Sequence, residues 1–130
     1  MAEMSDYLEK KVLDYVLRNT ADWAPTAVYT ALHTADPVDA GSGAEVSAGG
    51  YTYARQATAF DACHATTGVT QNTDVETWTN LPACTVPHIG IWDAVSSGNL
   101  LFHTAVTAAK TVANGDTISI AAGAITITLA

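Results

Sequence analysis

The sequence predicts a mostly-β single domain, a β-sandwich or a jelly-roll-like fold, with one N-terminal α-helix. Three observations predict this class. The chain has 130 residues, the length of one domain. Only its first twenty residues carry apolar side chains at helical spacing. The rest holds roughly seven or eight short strand-like runs separated by turn residues. We therefore divide the domain into a helix or arm at 1–20 and a β-sandwich at 27–130.

The first predicted element is a helix from Ser5 to Arg18. Ser5 suits the N-cap position, and Asp6 and Glu9 in the first turn complement the helix dipole. Asn19 is a suitable residue for ending the helix. The apolar stripe of this helix consists of Leu8, Val12, Leu13, Tyr15, Val16 and Leu17.

The first strands are predicted between residues 27 and 60. Residues 27–34 alternate as in a half-buried strand, and Asp36-Pro37 ends that strand because proline cannot donate to a ladder. A loop rich in Gly, Ser and Ala follows at 38–50, then a candidate strand at 51–60. Residues 61–72 are small and polar, which is typical of a loop.

The later part of the chain contains two turn signals that predict hairpins. Ser96-Ser97-Gly98-Asn99 is one of them, and Asn114-Gly115-Asp116 is the strongest in the chain. The remaining strands are predicted at 74–81, 88–94, 100–106, 117–120 and 125–129.

The charge of the chain argues against two classes of partner. Thirteen acidic residues face five basic ones, which gives a net charge of −8. No basic stripe is present, so we expect no direct binding to nucleic acid or to an anionic membrane. The sequence has no signal-peptide h-region and no apolar run near the roughly 18 residues of a membrane span.

Cys63 and Cys84 match no metal or redox motif in their spacing. Two free thiols are expected, with a disulfide between neighbouring strands as the alternative. A zinc site could draw on the cysteines, Asp36 and Asp93 together with the histidines. The histidines are His33, His64, His88 and His103. Structural zinc ligands often come in close sequence pairs, which these residues do not form, so we expect no metal and no cofactor.

Catalytic chemistry has little support in the sequence. There is no G-x-S-x-G nucleophile motif, and the adjacent Cys63 and His64 would face opposite ways in an extended chain. Asp74 and Glu76 would share one face of a strand, as two residues of any acidic strand do. The glycines form no phosphate-binding loop. We therefore expect no enzymatic activity.

The three tryptophans are candidates for contact surfaces. Trp92 lies in a hydrophobic strand and is expected in the core, whereas Trp23 and Trp78 lie in polar surroundings and are expected at the surface. The predicted interface residues are Tyr7, Leu8, Val12, Tyr15, Trp23 and Trp78.

Several segments resemble, in order along nearly the whole chain, a family of small virion proteins of tailed bacteriophages. They are residues 4–9 (MSDYLE), 31–37 (ALHTADP), 45–47 (EVS), 49–51 (GGY), 53–56 (YARQ), 88–93 (HIGIWD), 98–102 (GNLLF) and 121–127 (AAGAITI). Members are labelled phage structural or tail-fibre proteins. The family offers no catalytic residues. Residues 61–80 depart from the family pattern.

The resemblance implies a non-enzymatic virion protein made in the cytoplasm of the host bacterium. A capsid decoration or cement protein between major capsid subunits is expected first, because the chain has no trimerising coil or shaft repeat. A tail-fibre or tail-tip component contacting the host surface is the second candidate. A carbohydrate-binding β-sandwich module is the third. Expected partners are the major capsid protein or tail proteins, and further copies of the chain.

The amphipathic N-terminal segment, residues 1–18, has two predicted roles. It is either an arm that docks on the particle or a lid that closes one open end of the sandwich.

Overall fold

The computed structural model describes residues 2–20 and 23–129, so Met1 and Ala130 at the predicted domain ends lie outside the described residues. Strands make up 42% of the structure and helix 10%, which confirms the mostly-β class. The elements are β1 Glu3–Met4, α1 Asp6–Arg18, β2 Val28–His33, β3 Gln56–Thr58, β4 Val69–Gln71, β5 Glu76–Leu81, β6 Cys84–Trp92, β7 Leu100–Val112, β8 Asp116–Ile120 and β9 Thr126–Thr128.

The predicted helix is confirmed, including both of its ends. Ser5 has an extended backbone, and its hydroxyl accepts a hydrogen bond from the amide of Leu8 at 3.2 Å. Asn19 adopts the left-handed conformation, and its N–H donates to the carbonyl of Asp14. No helix in the described part of the chain is long and apolar enough to cross a membrane.

The main sheet has five antiparallel strands in the order β1-β7-β6-β2-β3. Its centre is the long hairpin of β6 and β7, which continues well beyond the predicted strands at 88–94 and 100–106. The two strands pair as far as Cys84 and Val112, and a register shift lies between Val86 and His88. The ladder is interrupted at Pro87, which has no N–H to donate, and it resumes in a new register at His88.

Two ribbons of two strands each form the rest of the β structure, β4 with β9 and β5 with β8. The prediction of a loop across 61–72 is wrong at β4, because pairing with β9 orders this polar segment. The candidate strand at 51–60 shortens to β3, and Phe60 adds an isolated bridge to Asn72.

The core lies between the main sheet and the two ribbons, as in a sandwich. The buried cluster consists of Leu32, Val46, Trp78, Leu81, Val86, Ile89, Ile91, Val112, Ile118, Ile125 and Ile127. These residues come from β2, β5, β6, β7, β8 and β9, together with the segments beside them. The division into five, two and two strands does not confirm a jelly roll.

Candidate functional site

The second half of α1 presents an apolar surface. Leu13, Val16 and Leu17 are 57%, 68% and 76% exposed. Their i, i+3, i+4 spacing places them on one side of the helix, and we call this surface the helix outer face. Leu8 is the buried residue of the helix, so only the first half is packed firmly on the protein.

The residues at the start of the chain hold α1 against the main sheet. The Ser5 amide donates to the carbonyl of Leu101 at 2.9 Å, and the Ser5 hydroxyl donates to the carbonyl of Leu100. The Asp6 amide donates to the carbonyl of Asp39 at 3.2 Å. These bonds hold the first turn of α1 in place and do not cover the helix outer face.

The predicted interface residues on and near the helix differ in exposure. Tyr15 is exposed, Val12 is half-buried and Leu8 is buried. Tyr7 and Trp23 are half-buried and meet edge to face, with ring centroids 6.2 Å apart. These two aromatic rings form a surface pair beside the helix.

The expected surface position of Trp78 is wrong. Trp78 is 1% exposed and belongs to the core cluster. In β5 the side chains of Glu76 and Trp78 point inward while Thr77 and Thr79 point outward. The polar neighbours that favoured a surface position therefore occupy the other face of the strand. Trp92 is buried as predicted.

Arg55 forms a buried ion pair that no pattern in the sequence predicts. Its Nε and Nη2 donate to Glu45 Oε1 and Oε2 at 2.9 and 2.8 Å. Its Nη1 donates to the carbonyls of Ala94 and Ser97, both at 2.8 Å, and its guanidinium lies 4.0 Å from the ring centroid of Trp92. With all these partners satisfied, the arrangement joins three segments of the chain and is structural.

Glu45, the acidic partner in this ion pair, and the nearby His33 both have shifted pKa values. Burial alone raises the pKa of Glu45, but hydrogen bonds from Arg55 and Tyr53 outweigh it and hold the pKa below its usual value. Burial lowers the pKa of His33, which accepts from Trp92 Nε1 at 3.3 Å and donates from Nδ1 to the Gly43 carbonyl at 3.2 Å. His33 is thus a neutral core histidine rather than a ligand or a base.

His103 lies among carboxylates at the edge of the main sheet. Its Nε2 is 2.9 Å from Asp39 Oδ1, and its Nδ1 is 3.3 Å from Asp36 Oδ1. Glu3 in β1 is the direct pairing partner of His103 in β7. We call Glu3, Asp36, Asp39 and His103 the His103 cluster.

His103 and Asp36 were among the possible zinc ligands in the sequence, but Glu3 and Asp39 were not. No spacing signal links them, because the cluster depends on the pairing of β1 with β7 and on the loop after Pro37. His88 Nε2 lies 3.9 Å from Asp36 Oδ2 at its margin. His64 lies elsewhere, on an exposed turn.

The other candidate chemical groups do not form a catalytic arrangement among the described residues. Cys63 and Cys84 are free thiols, as expected, and burial raises the pKa of Cys84. Glu76 is buried while Asp74 is exposed, so the two carboxylates do not face each other across a cleft. Burial also raises the pKa of Glu76.

Comparison with known proteins shows that this β-rich chain is a structural protein of a tailed phage. Residues 3–128 match the family described as "Podophage GP4 fiber I protein gp80". The match covers nearly the whole chain, so the chain belongs to this family. The predicted membership in a small tailed-phage structural protein family is confirmed. No curated protein matches the chain. Membership implies a place in the virion and association with other virion proteins.

Proposed function

We propose that this chain is a non-enzymatic component of a phage tail fibre that attaches to a neighbouring virion protein through its N-terminal helix. The family description as a fibre protein supports the fibre over the capsid. Capsid decoration was the first expectation from the sequence, and the family match does not confirm that role.

The observation that carries the proposal is the helix outer face. Leu13, Val16 and Leu17 expose adjacent apolar side chains on the part of α1 that follows its buried residue, Leu8. Contiguous exposed apolar side chains on a stable protein are typical of an interaction surface. An apolar helix face of this kind fits a groove on another protein, with the i, i+3, i+4 residues as anchors.

The N-terminal segment was predicted to be a lid or a docking arm, and each role suits one half of the helix. Ser5 and Leu8 are buried against the main sheet, which suits a lid. The helix outer face has no described neighbour to cover it, which suits an arm. We infer that the first half fixes the helix in place and that the second half docks.

A variant with Leu13→Ser, Val16→Ser and Leu17→Ser tests the docking role. Because these side chains are exposed, the variant should fold with an unchanged circular dichroism spectrum. We expect its incorporation into virions to fall at least tenfold in a phage complementation assay. A matched control replaces Val75 and Val95 by serine, because these valines lie outside the helix and their side chains are 60% and 54% exposed, respectively. Normal incorporation of the triple variant would contradict the docking role.

Capsid decoration remains the second candidate, because the chain shows no trimerising coil and no shaft repeat. The number of copies per particle distinguishes a fibre component from a capsid decoration protein. Quantitative mass spectrometry of purified virions should give tens of copies or fewer for a fibre component. Hundreds of copies would favour decoration, and absence from virions would contradict both roles.

A further inference from the structure

We propose that His103, Asp39 and Glu3 bind a divalent transition-metal ion such as Zn²⁺, with Asp36 orienting the histidine. The proposal is independent of the fibre role, and it departs from the sequence-based expectation of no metal.

The geometry of the ligand atoms fits one ion. The nearest ligand atoms of Glu3, Asp39 and His103 all lie within 4.8 Å of one another, and His103 Nε2 and Asp39 Oδ1 are 2.9 Å apart. Two ligands on a tetrahedral Zn²⁺ lie roughly 3.3 Å apart, from bonds of about 2.0–2.1 Å. Small side-chain movements of the two exposed carboxylates would therefore complete the site, and water would supply the remaining ligand.

Because both ring nitrogens of His103 face carboxylate oxygens, Nε2 needs either a proton or a metal ion between it and Asp39. A neutral imidazole has one N–H donor and one acceptor, whereas both nitrogens of His103 face carboxylate oxygens, which only accept. If Nδ1–H donates to Asp36, the lone pair of Nε2 points at Asp39. A second ring proton would turn this repulsion into an ion pair, whereas a divalent ion between Nε2 and the carboxylates of Asp39 and Glu3 would turn it into coordination. Saturable binding of Zn²⁺ separates the two.

Asp36 occupies the position of a carboxylate that supports a metal-binding histidine. Histidines that bind a metal usually donate their other ring N–H to a carboxylate, which fixes the tautomer and the ring orientation. Asp36 Oδ1 lies 3.3 Å from His103 Nδ1 and occupies this position. The imidazole is also 4% exposed, so packing holds it in the orientation that coordination requires.

The mixed imidazole and carboxylate donors indicate which ions fit. Imidazole suits zinc and other late first-row metals, whereas Ca²⁺ and Mg²⁺ prefer oxygen ligands alone. The ion would join β1, β7 and the loop after Pro37. It would therefore fix the base from which α1 projects.

Isothermal titration of the full-length chain with ZnCl₂ tests the site. The experiment uses the Cys63→Ser background, because Cys63 is an exposed thiol beside His64. We expect one ion per chain and a rise in the melting temperature with Zn²⁺. Glu3→Gln and Asp39→Asn should each weaken binding at least tenfold. Asp36→Asn should weaken it about 10–100-fold, as for other residues that support a ligand.

Asp74→Asn is the matched control, since it also removes one exposed carboxylate and should leave the affinity unchanged. The test relies on the exposed carboxylates because a change at the buried His103 could unfold the chain. Co²⁺ gives a second measurement: an absorption spectrum without a thiolate charge-transfer band is expected. Such a band, equal affinity in Glu3→Gln and Asp39→Asn, or no saturable binding would overturn the proposal.

Discussion

At the residue scale, Arg55 shows how a charged group is accommodated in the interior. Its side chain is buried, and four of its five N–H groups donate to the two oxygens of Glu45 and to two backbone carbonyls. A lysine would keep the charge but lose the planar fork and the stacking on Trp92. We expect Arg55→Lys to lower the free energy of unfolding by about 2 kcal/mol, measured by urea denaturation.

Arg18→Lys is the matched control for this change. Arg18 pairs with Asp14 at 3.0 Å on the exposed surface of α1, where solvent screens the pair. Its replacement should leave the denaturation midpoint unchanged. Equal midpoints for Arg55→Lys and the unmodified chain would contradict the structural role of the buried fork.

Glu76 provides a pH-dependent prediction. It is 4% exposed, its Oε1 has no hydrogen-bond partner among the described residues, and burial raises its pKa. The folded chain therefore binds a proton at Glu76 more readily than the unfolded chain does. Its contribution to stability is present at acidic pH and is lost as the pH rises through the folded-state pKa.

Glu76→Gln should prevent this loss of stability at higher pH, because the glutamine amide cannot ionise. We expect the variant to be more stable than the unmodified chain by about 1 kcal/mol at pH 7. The difference should disappear below about pH 4, near the ordinary pKa of glutamate. Thermal unfolding from pH 3 to pH 8 measures it. The exposed Glu9→Gln should show no such trend, and a constant offset at every pH for Glu76→Gln would contradict the explanation.

At the element scale, β6 depends on the absence of a side chain at Gly90. A Cβ there would approach His33 Nε2 and Leu100 Cδ1 at 2.9 Å and Trp92 Nε1 at 3.0 Å. We expect Gly90→Ala to destabilise the protein by about 2–3 kcal/mol, since these neighbours are packed in the core. Chemical denaturation measures the change.

The control for Gly90→Ala separates crowding from backbone strain. Gly50 has a φ of +90° and no atom within 4 Å of an added Cβ. Gly50→Ala should therefore lose only the conformational preference of glycine, about 1 kcal/mol. A smaller effect at Gly90 than at Gly50 would show that the centre of the main sheet can adjust to the extra methyl group.

The elements also show which local signals can be read from the sequence. The ends of α1 were predictable because Ser5 and Asn19 cap the helix through bonds to residues a few positions away. The strand β4 was not predictable, because its polar sequence is ordered by pairing with β9, more than fifty residues later. Residues 110–112 belong to β7, as expected for a strand leading into Asn114-Gly115-Asp116, but the hairpin predicted there is wrong. The turn connects strands of different sheets, because β7 pairs with β6 and β8 pairs with β5.

At the scale of the whole molecule, the class was predictable but the candidate sites were only partly so. The mostly-β character follows from the alternation of apolar residues, and the core cluster spans Leu32 to Ile127 as that pattern requires. The His103 cluster depends on strand order, which brings Glu3 beside a residue one hundred positions later. The helix outer face was visible in the sequence as an apolar stripe, but the part left exposed depends on how α1 packs.

We expect the β part to fold without the N-terminal segment, at reduced stability. The described core cluster contains no residue before Leu32, and only Ala2 from the first eighteen residues packs against it. Deleting residues 1–18 removes Leu8 from its buried position, the bonds of Ser5, and the pairing of β1 with β7. We expect a cost of about 3 kcal/mol, from one buried leucine and a few hydrogen bonds.

The truncated chain should therefore retain a β-type circular dichroism spectrum and a cooperative urea transition, at a lower midpoint. It should also fail to enter virions, because the docking helix is gone. Leu8→Ala is the matched control: it weakens the attachment of α1 but leaves Leu13, Val16 and Leu17 in place, so it should still enter virions. A truncated chain without a cooperative transition would show that the segment is a lid that the β part needs in order to fold.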